Sequence, residues 1–125
     1  MFELSVEVRF SAAHRIEGHA GRCAQLHGHN YRVVVTVAGR ELDEQGMVID
    51  FGKLKEICRA ATDPLDHTYL NDLPAFAESN PTAEALARHI HELVTRGLAD
   101  VAPGDVRVDG VTVYESDQSC ATYRG

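Results

Sequence analysis

The sequence contains no apolar run approaching the roughly 18 residues needed to cross a bilayer, which excludes a helical membrane span. Its opening, Met1-Phe2-Glu3-Leu4-Ser5, lacks the basic start and apolar centre of a signal peptide, so the expected compartment is the cytoplasm. Cysteine is scarce: Cys23, Cys58 and Cys120 form an odd, widely spaced set without a C-x-x-C pair, which reads as free thiols. Basic residues are outnumbered 12 to 19, giving a net charge of −7 with no run of like charge. Nucleic acid is thereby excluded as the main partner, because phosphate binding needs clustered Lys and Arg. Repeats, low-complexity segments and linkers are also lacking.

What is present, at 125 residues, 44% hydrophobic and 25% charged, is the composition of one globular domain spanning 1–125. Residues 2–12 alternate, with Phe2, Leu4, Val6, Val8 and Phe10 on one side of a half-buried strand. A polar stretch from Arg15 to Leu26 follows, and then a second strand from Tyr31 to Val37. Asp50 can cap a helix with Leu54, Ile57, Cys58 and Ala61 on its apolar stripe, ended by Asp63-Pro64. Asn80-Pro81 reads as the N-cap and first residue of a second helix with Gly97 near its end and Pro103-Gly104 in the next turn. Val106 to Tyr114 forms another strand with a bulge at Asp109-Gly110, and Cys120 to Arg124 a short last one. The order strand, strand, helix, helix, strand, strand defines an α+β domain.

Histidine carries the chemical signal. His14 continues the parity of Phe10 and Ala12, and His27 and His29 share that of Tyr31, Val33 and Val35. If the two strands pair as a hairpin, the three imidazoles converge at one end of the sheet. Three neutral imidazoles form a catalytic zinc set with a fourth position open. The plainer reading is three ordinary histidines on strand ends, since His-x-His is a weak signal by itself.

Cys23, four residues before His27, has two readings: a thiol activated by a nearby cation as base or nucleophile, or a fourth ligand closing a structural site. Cys58 belongs to the core. Asp66-His67 is either a carboxylate fixing an imidazole tautomer or a solvated loop pair. His19 reads as a loop residue, and His89 and His91 as surface residues of the second helix. Glu115 shares the parity of Val111 and Val113, so its carboxylate needs a partner, either an Arg or a ligand bearing a fork of N–H donors such as a pterin edge.

Taken together, F-S-A-A-H (10–14), C-A-Q-L-H-G-H (23–29), L-D-H-T-Y-L-N-D (65–72), N-P-T-A-E (80–84) and Glu115 resemble the 6-pyruvoyltetrahydropterin synthase family. The three-residue gap between Cys23 and His27 and the closing Tyr123-Arg124-Gly125 are similar to its bacterial 6-carboxytetrahydropterin synthase branch. Ser116 stands where threonine commonly follows the pterin-binding Glu.

The resemblance implies a tunnelling fold: an antiparallel four-stranded sheet with two helices on one face, the sheets of several subunits joining into a barrel. A homohexamer of two trimers, with active sites between subunits, is the assembly implied. Position by position it implies His14, His27 and His29 as zinc ligands, Cys23 as proton acceptor, and Asp66 and His67 as a relay. Glu115 would anchor the pterin, with Thr82 helping to hold it. The implied reaction converts 7,8-dihydroneopterin triphosphate to 6-carboxy-5,6,7,8-tetrahydropterin, acetaldehyde and triphosphate, on the route to queuosine. Arg15, Arg22 and Lys53 are the cations proposed for the triphosphate by proximity. The alternatives are 6-pyruvoyltetrahydropterin formation without carbon–carbon cleavage, and a non-catalytic zinc or pterin-binding module.

Overall fold

The computed structural model describes residues 1–102 and 104–125; Pro103, expected in the turn after the second helix, lies outside them. The elements are β1 (Phe2–His14), β2 (His27–Gly39), α1 (Phe51–Thr62), β3 (Thr68–Tyr69), α2 (Ala83–Ala99), β4 (Arg107–Ser116) and β5 (Ser119–Tyr123). The sheet runs β3-β1-β2-β4-β5. Four strands pair antiparallel as expected, but β3 lies parallel against β1 through Ala12 and Thr68, Ala13 and Tyr69. The sheet is therefore five-stranded and mixed, not four-stranded and antiparallel. Two residues carry no periodicity, so a strand of that length leaves no trace in the pattern.

The alternation seen in the sequence becomes one buried face. Val6, Val8, Phe10 and Ala12 of β1 join Tyr31, Val33, Val35 and Val37 of β2 and Val108, Val111 and Val113 of β4. Against them pack Leu54, Cys58 and Ala61 of α1 and Leu86, Ala87, Ile90, Val94 and Leu98 of α2. Each fully buried aliphatic side chain contributes about 1.5–3 kcal/mol, and one layer of helices on one sheet face collects them into a single core. Gly97 lets the helices approach closely, since a Cβ there would stand 2.7 Å from Ile57 Cγ2. Asp109 is the extra residue of the expected bulge, because Thr36 pairs with Gly110 and Val37 with Val108. No helix among the described residues is long and apolar enough to cross a membrane.

Most strand boundaries differ by a few residues from the sequence reading, and those nearest the site matter most. β1 and β2 extend to His14 and His27, so all three candidate ligands lie within strands. Asp50 caps α1 by accepting from the Lys53 N–H, as expected. The cap of α2, however, is Thr82, whose Oγ1 accepts from the Ala85 N–H at 3.1 Å; the amide of Asn80 is used elsewhere.

Candidate metal centre and its surroundings

The β1–β2 register sets His14 opposite His27 and Ala12 opposite His29. All three rings project from the helix-covered face at the end of the hairpin closed by the 15–26 connection, and His14 is 1% exposed. Their ligand atoms lie within 4.8 Å of one another, an arrangement able to hold a metal ion, and Cys23 is not part of the set. His14 Nε2 is 3.0 Å from His27 Nε2 and 3.1 Å from His29 Nε2.

Proton accounting explains what such contacts require. The His14 Nδ1–H donates to the Pro81 carbonyl at 2.8 Å, and the His27 Nδ1–H to the Gln25 carbonyl at 2.7 Å. A carbonyl oxygen only accepts, so both neutral rings carry their proton on Nδ1 and present a bare lone pair at Nε2. Two lone pairs facing at 3.0 Å repel unless a cation stands between them. Tetrahedral zinc, with Zn–N bonds of about 2.0–2.1 Å, separates its ligand nitrogens by about 3.3 Å, which these rings reach by opening a few tenths of an ångström. The two carbonyls are the outer hydrogen bonds that orient metal-bound imidazoles. The donor set therefore fits zinc.

Beneath the rings, the Tyr31 hydroxyl lies 3.3 Å from His14 Nδ1, and its ring stacks on Phe10 with centroids 4.7 Å apart. Burial, aided by the nearby Glu115 charge, pushes the phenol well above its ordinary pKa, so it stays protonated. The Glu115 carboxylate, from β4, stands 3.8 Å from His29 Nε2 and 4.0 Å from His14 Nε2. The side chains nearest it are thus the imidazoles rather than the Arg that the sequence offered as one alternative, and its side chain is 31% exposed. Burial holds the His29 pKa below its ordinary value, against the opposing pull of Glu115.

Asp66 and His67 adjoin β3. Neighbouring side chains seldom meet, but His67 has a φ of +57°, and that left-handed turn brings its Nδ1 to 2.9 Å from the Asp66 carboxylate. The other Asp66 oxygen accepts from the Ser11 N–H at 2.8 Å, and the His67 N–H donates to the Ser11 carbonyl. The Ser11 N–H first, and His67 second, hold the Asp66 carboxyl below its ordinary range. His67 is thus tied to the edge of β1 with Nε2 free, although its side chain is 83% exposed. An open cleft of about 490 Å³ is lined by β1, β2 and β3 and includes both His29 and His67.

Cys23 is exposed on a 3₁₀ turn, Arg22–Ala24, and Cys58 is buried, its thiol pushed up to about 12 by burial. Arg15 and Arg22 are exposed on the Cys23 loop. Lys53 lies in the first turn of α1, near the Gly39 end of β2 against which Val48 packs, and pairs with Glu56 at 3.6 Å. His27 lies at the opposite end of β2 from Gly39. His89 and His91 are half-buried rather than surface residues, packed against Phe76 and Tyr123 respectively. Tyr31, Asn71 and the carbonyls of Gln25 and Pro81 carry no individual role in the sequence reading, although the quoted motifs contain Asn71, Gln25 and Pro81, and Asn80 reads there as a cap.

A fold of two helices on one sheet face, with a three-histidine centre at the loop end of the first hairpin, defines a class with known members. The family model described as 6-pyruvoyl tetrahydropterin synthase matches residues 3–125, and the chain belongs to this family of enzymes. It is 38% identical to the 6-carboxy-5,6,7,8-tetrahydropterin synthase of Bacillus subtilis, over 98% of this chain and 85% of that one. To the protein of the same name from Synechocystis it is 39% identical, over 98% of this chain and 93% of that one. Among solved structures, the 6-pyruvoyl tetrahydropterin synthase of Caenorhabditis elegans superposes with a TM-score of 0.84 at 29% identity, covering 99% of this chain and 95% of that one.

Proposed function

We propose that the protein is a zinc-dependent lyase that converts 7,8-dihydroneopterin triphosphate and water to 6-carboxy-5,6,7,8-tetrahydropterin, acetaldehyde and triphosphate. The observation that carries the reading is the convergence of three histidine ring nitrogens beside the Glu115 carboxylate, in a chain whose curated relatives bear the 6-carboxy name. Zinc bound to His14, His27 and His29 would supply a Lewis acid that acidifies substrate hydroxyls and polarises a carbonyl.

The protein groups divide the remaining work. Glu115 accepts the paired N–H donors of the pterin edge, which fixes the ring beside the metal ligands. Thr82 caps α2 through its oxygen and keeps its hydroxyl proton available to the substrate. Cys23 takes a proton from the side chain, and His67, its tautomer fixed by Asp66, moves one at Nε2. Subunits meeting at their sheet edges would bring the Asp66-His67 pair of one chain toward Cys23 of another. The outer side of β5 is such an edge, and a strand edge left free to pair with a neighbouring sheet supports the reading of a barrel-shaped hexamer of two trimers. The product then serves 7-deazapurine (queuosine) synthesis in the cytoplasm.

The fold shared with the C. elegans 6-pyruvoyl synthase favours one second reading, loss of triphosphate without carbon–carbon cleavage. Product analysis on dihydroneopterin triphosphate separates them. Acetaldehyde released in step with triphosphate supports the carboxy route. Turnover without acetaldehyde contradicts it.

A further inference from the structure

Three successive residues after His14 are each tied to a different partner. The Arg15 N–H donates to Asn71 Oδ1, and the Arg15 carbonyl accepts from Asn71 Nδ2, both at 3.0 Å. The Ile16 N–H donates to the Cys23 carbonyl at 2.7 Å. The Glu17 N–H donates to Asn80 Oδ1, and the Glu17 carbonyl accepts from Asn80 Nδ2, both at 2.9 Å. Each amide side chain presents one acceptor and one donor, the pair of groups that a neighbouring β-strand would offer. Asn71 belongs to a 3₁₀ turn (Leu70–Asp72), and Asn80 precedes Pro81, whose carbonyl holds the His14 ring.

Burial cannot fix this segment. Of residues 15–26 only Ile16 and Ala24 are half-buried, and the rest are exposed. Its shape must come from hydrogen bonds, and the Ile16 bond to Cys23 lies between the two amide clamps. We infer that Asn71 and Asn80 are positioning residues: by clamping Arg15 and Glu17 they hold Ile16, and through it the backbone of Cys23, at the mouth of the three-histidine site. The inference rests on the reading of Cys23 as proton acceptor in the proposed lyase. Asparagine suits the task because aspartate has no donor for the carbonyl and alanine has neither group.

The test uses the metal-loaded enzyme and the variants Asn71→Ala and Asn80→Ala, each with and without Cys23→Ala. Released from its clamp, the thiol moves by about an ångström, which lowers kcat about 10- to 100-fold. KM is expected to stay within about twofold of wild type, because Glu115 and the histidines are untouched. Amide exchange at Ile16 should accelerate at least about tenfold while β1 and α2 keep their protection. In the Cys23→Ala background the Asn substitutions should cost nothing further, since they act through the thiol. Losses that multiply with Cys23→Ala, unchanged exchange at Ile16, or unchanged kcat each overturn the inference. Should an alanine variant not fold, the isosteric Asn71→Asp and Asn80→Asp carry the same readouts. A wild-type protein inactive on the pterin triphosphate contradicts the lyase reading, whereas the exchange at Ile16 judges the clamp without any turnover.

Discussion

His14 and His27 face one another through Nε2 atoms 3.0 Å apart while each gives its only ring proton away, to the Pro81 and Gln25 carbonyls. That contact is repulsive between neutral rings and becomes favourable around a cation. It ties strand pairing to chemistry, because the β1–β2 register that buries Phe10 against Tyr31 also sets His14 across from His27.

Cys23 stands outside the converging set, so the thiol is separable from metal binding. Cys23→Ala is expected to retain its full metal content and lose turnover by about 10²- to 10⁴-fold, the usual contribution of a placed acid–base group. Metal analysis alongside steady-state kinetics checks it. Metal lost together with the thiol would make Cys23 a ligand.

Glu115→Gln keeps the shape of the side chain and removes its charge. A charge-assisted hydrogen bond contributes about 1.5–3 kcal/mol, so kcat/KM should fall about 10- to 100-fold. Binding of a non-reactive pterin, measured by calorimetry, should weaken in parallel. Unaltered pterin affinity would remove Glu115 from recognition.

Asp66→Asn replaces a carboxylate that serves two donors with an amide that can serve one well. Turnover is expected to fall about 10- to 100-fold in steady-state kinetics, as His67 loses its fixed tautomer. The carboxyl is held below its ordinary pKa of 3.8, so its stabilising contribution is present above that value and lost as pH falls through the lower folded value. In wild type, therefore, no inflection between about pH 5 and 8 should belong to Asp66.

His89 gives a pH effect away from the site. Burial holds its pKa below the ordinary 6.5, so the folded state disfavours its charged form. The unfolded chain then binds the extra proton, and stability falls as pH drops below about 6.5, levelling off under the folded value. His89→Gln should flatten this part of the slope, read as the difference in Tm between variant and wild type from about pH 7.5 to 5.5. Parallel slopes would show that His89 does not contribute.

The sequence made the site legible wherever burial imposes a period. Strand parity places His14, His27, His29 and Glu115 on one face, since the same alternation builds the core. Hydrogen bonds between distant residues leave no such pattern. Asn80 satisfies Glu17 across 63 positions, and its neighbour Thr82 takes the cap that the Asn-Pro dipeptide suggested. β3 is too short to alternate, and its placement beside Ala12 and Ala13 is what brings His67 to the edge of the sheet. The meeting of Asp66 and His67 depends on one left-handed residue, which composition does not announce.

Metal content of the purified, buffer-exchanged protein, measured with activity on the same sample, bears most directly on the three-imidazole centre. About one equivalent of zinc per chain is expected, retained in Cys23→Ala and lost in His27→Ala together with turnover. A protein that is folded, free of metal and fully active would contradict the account.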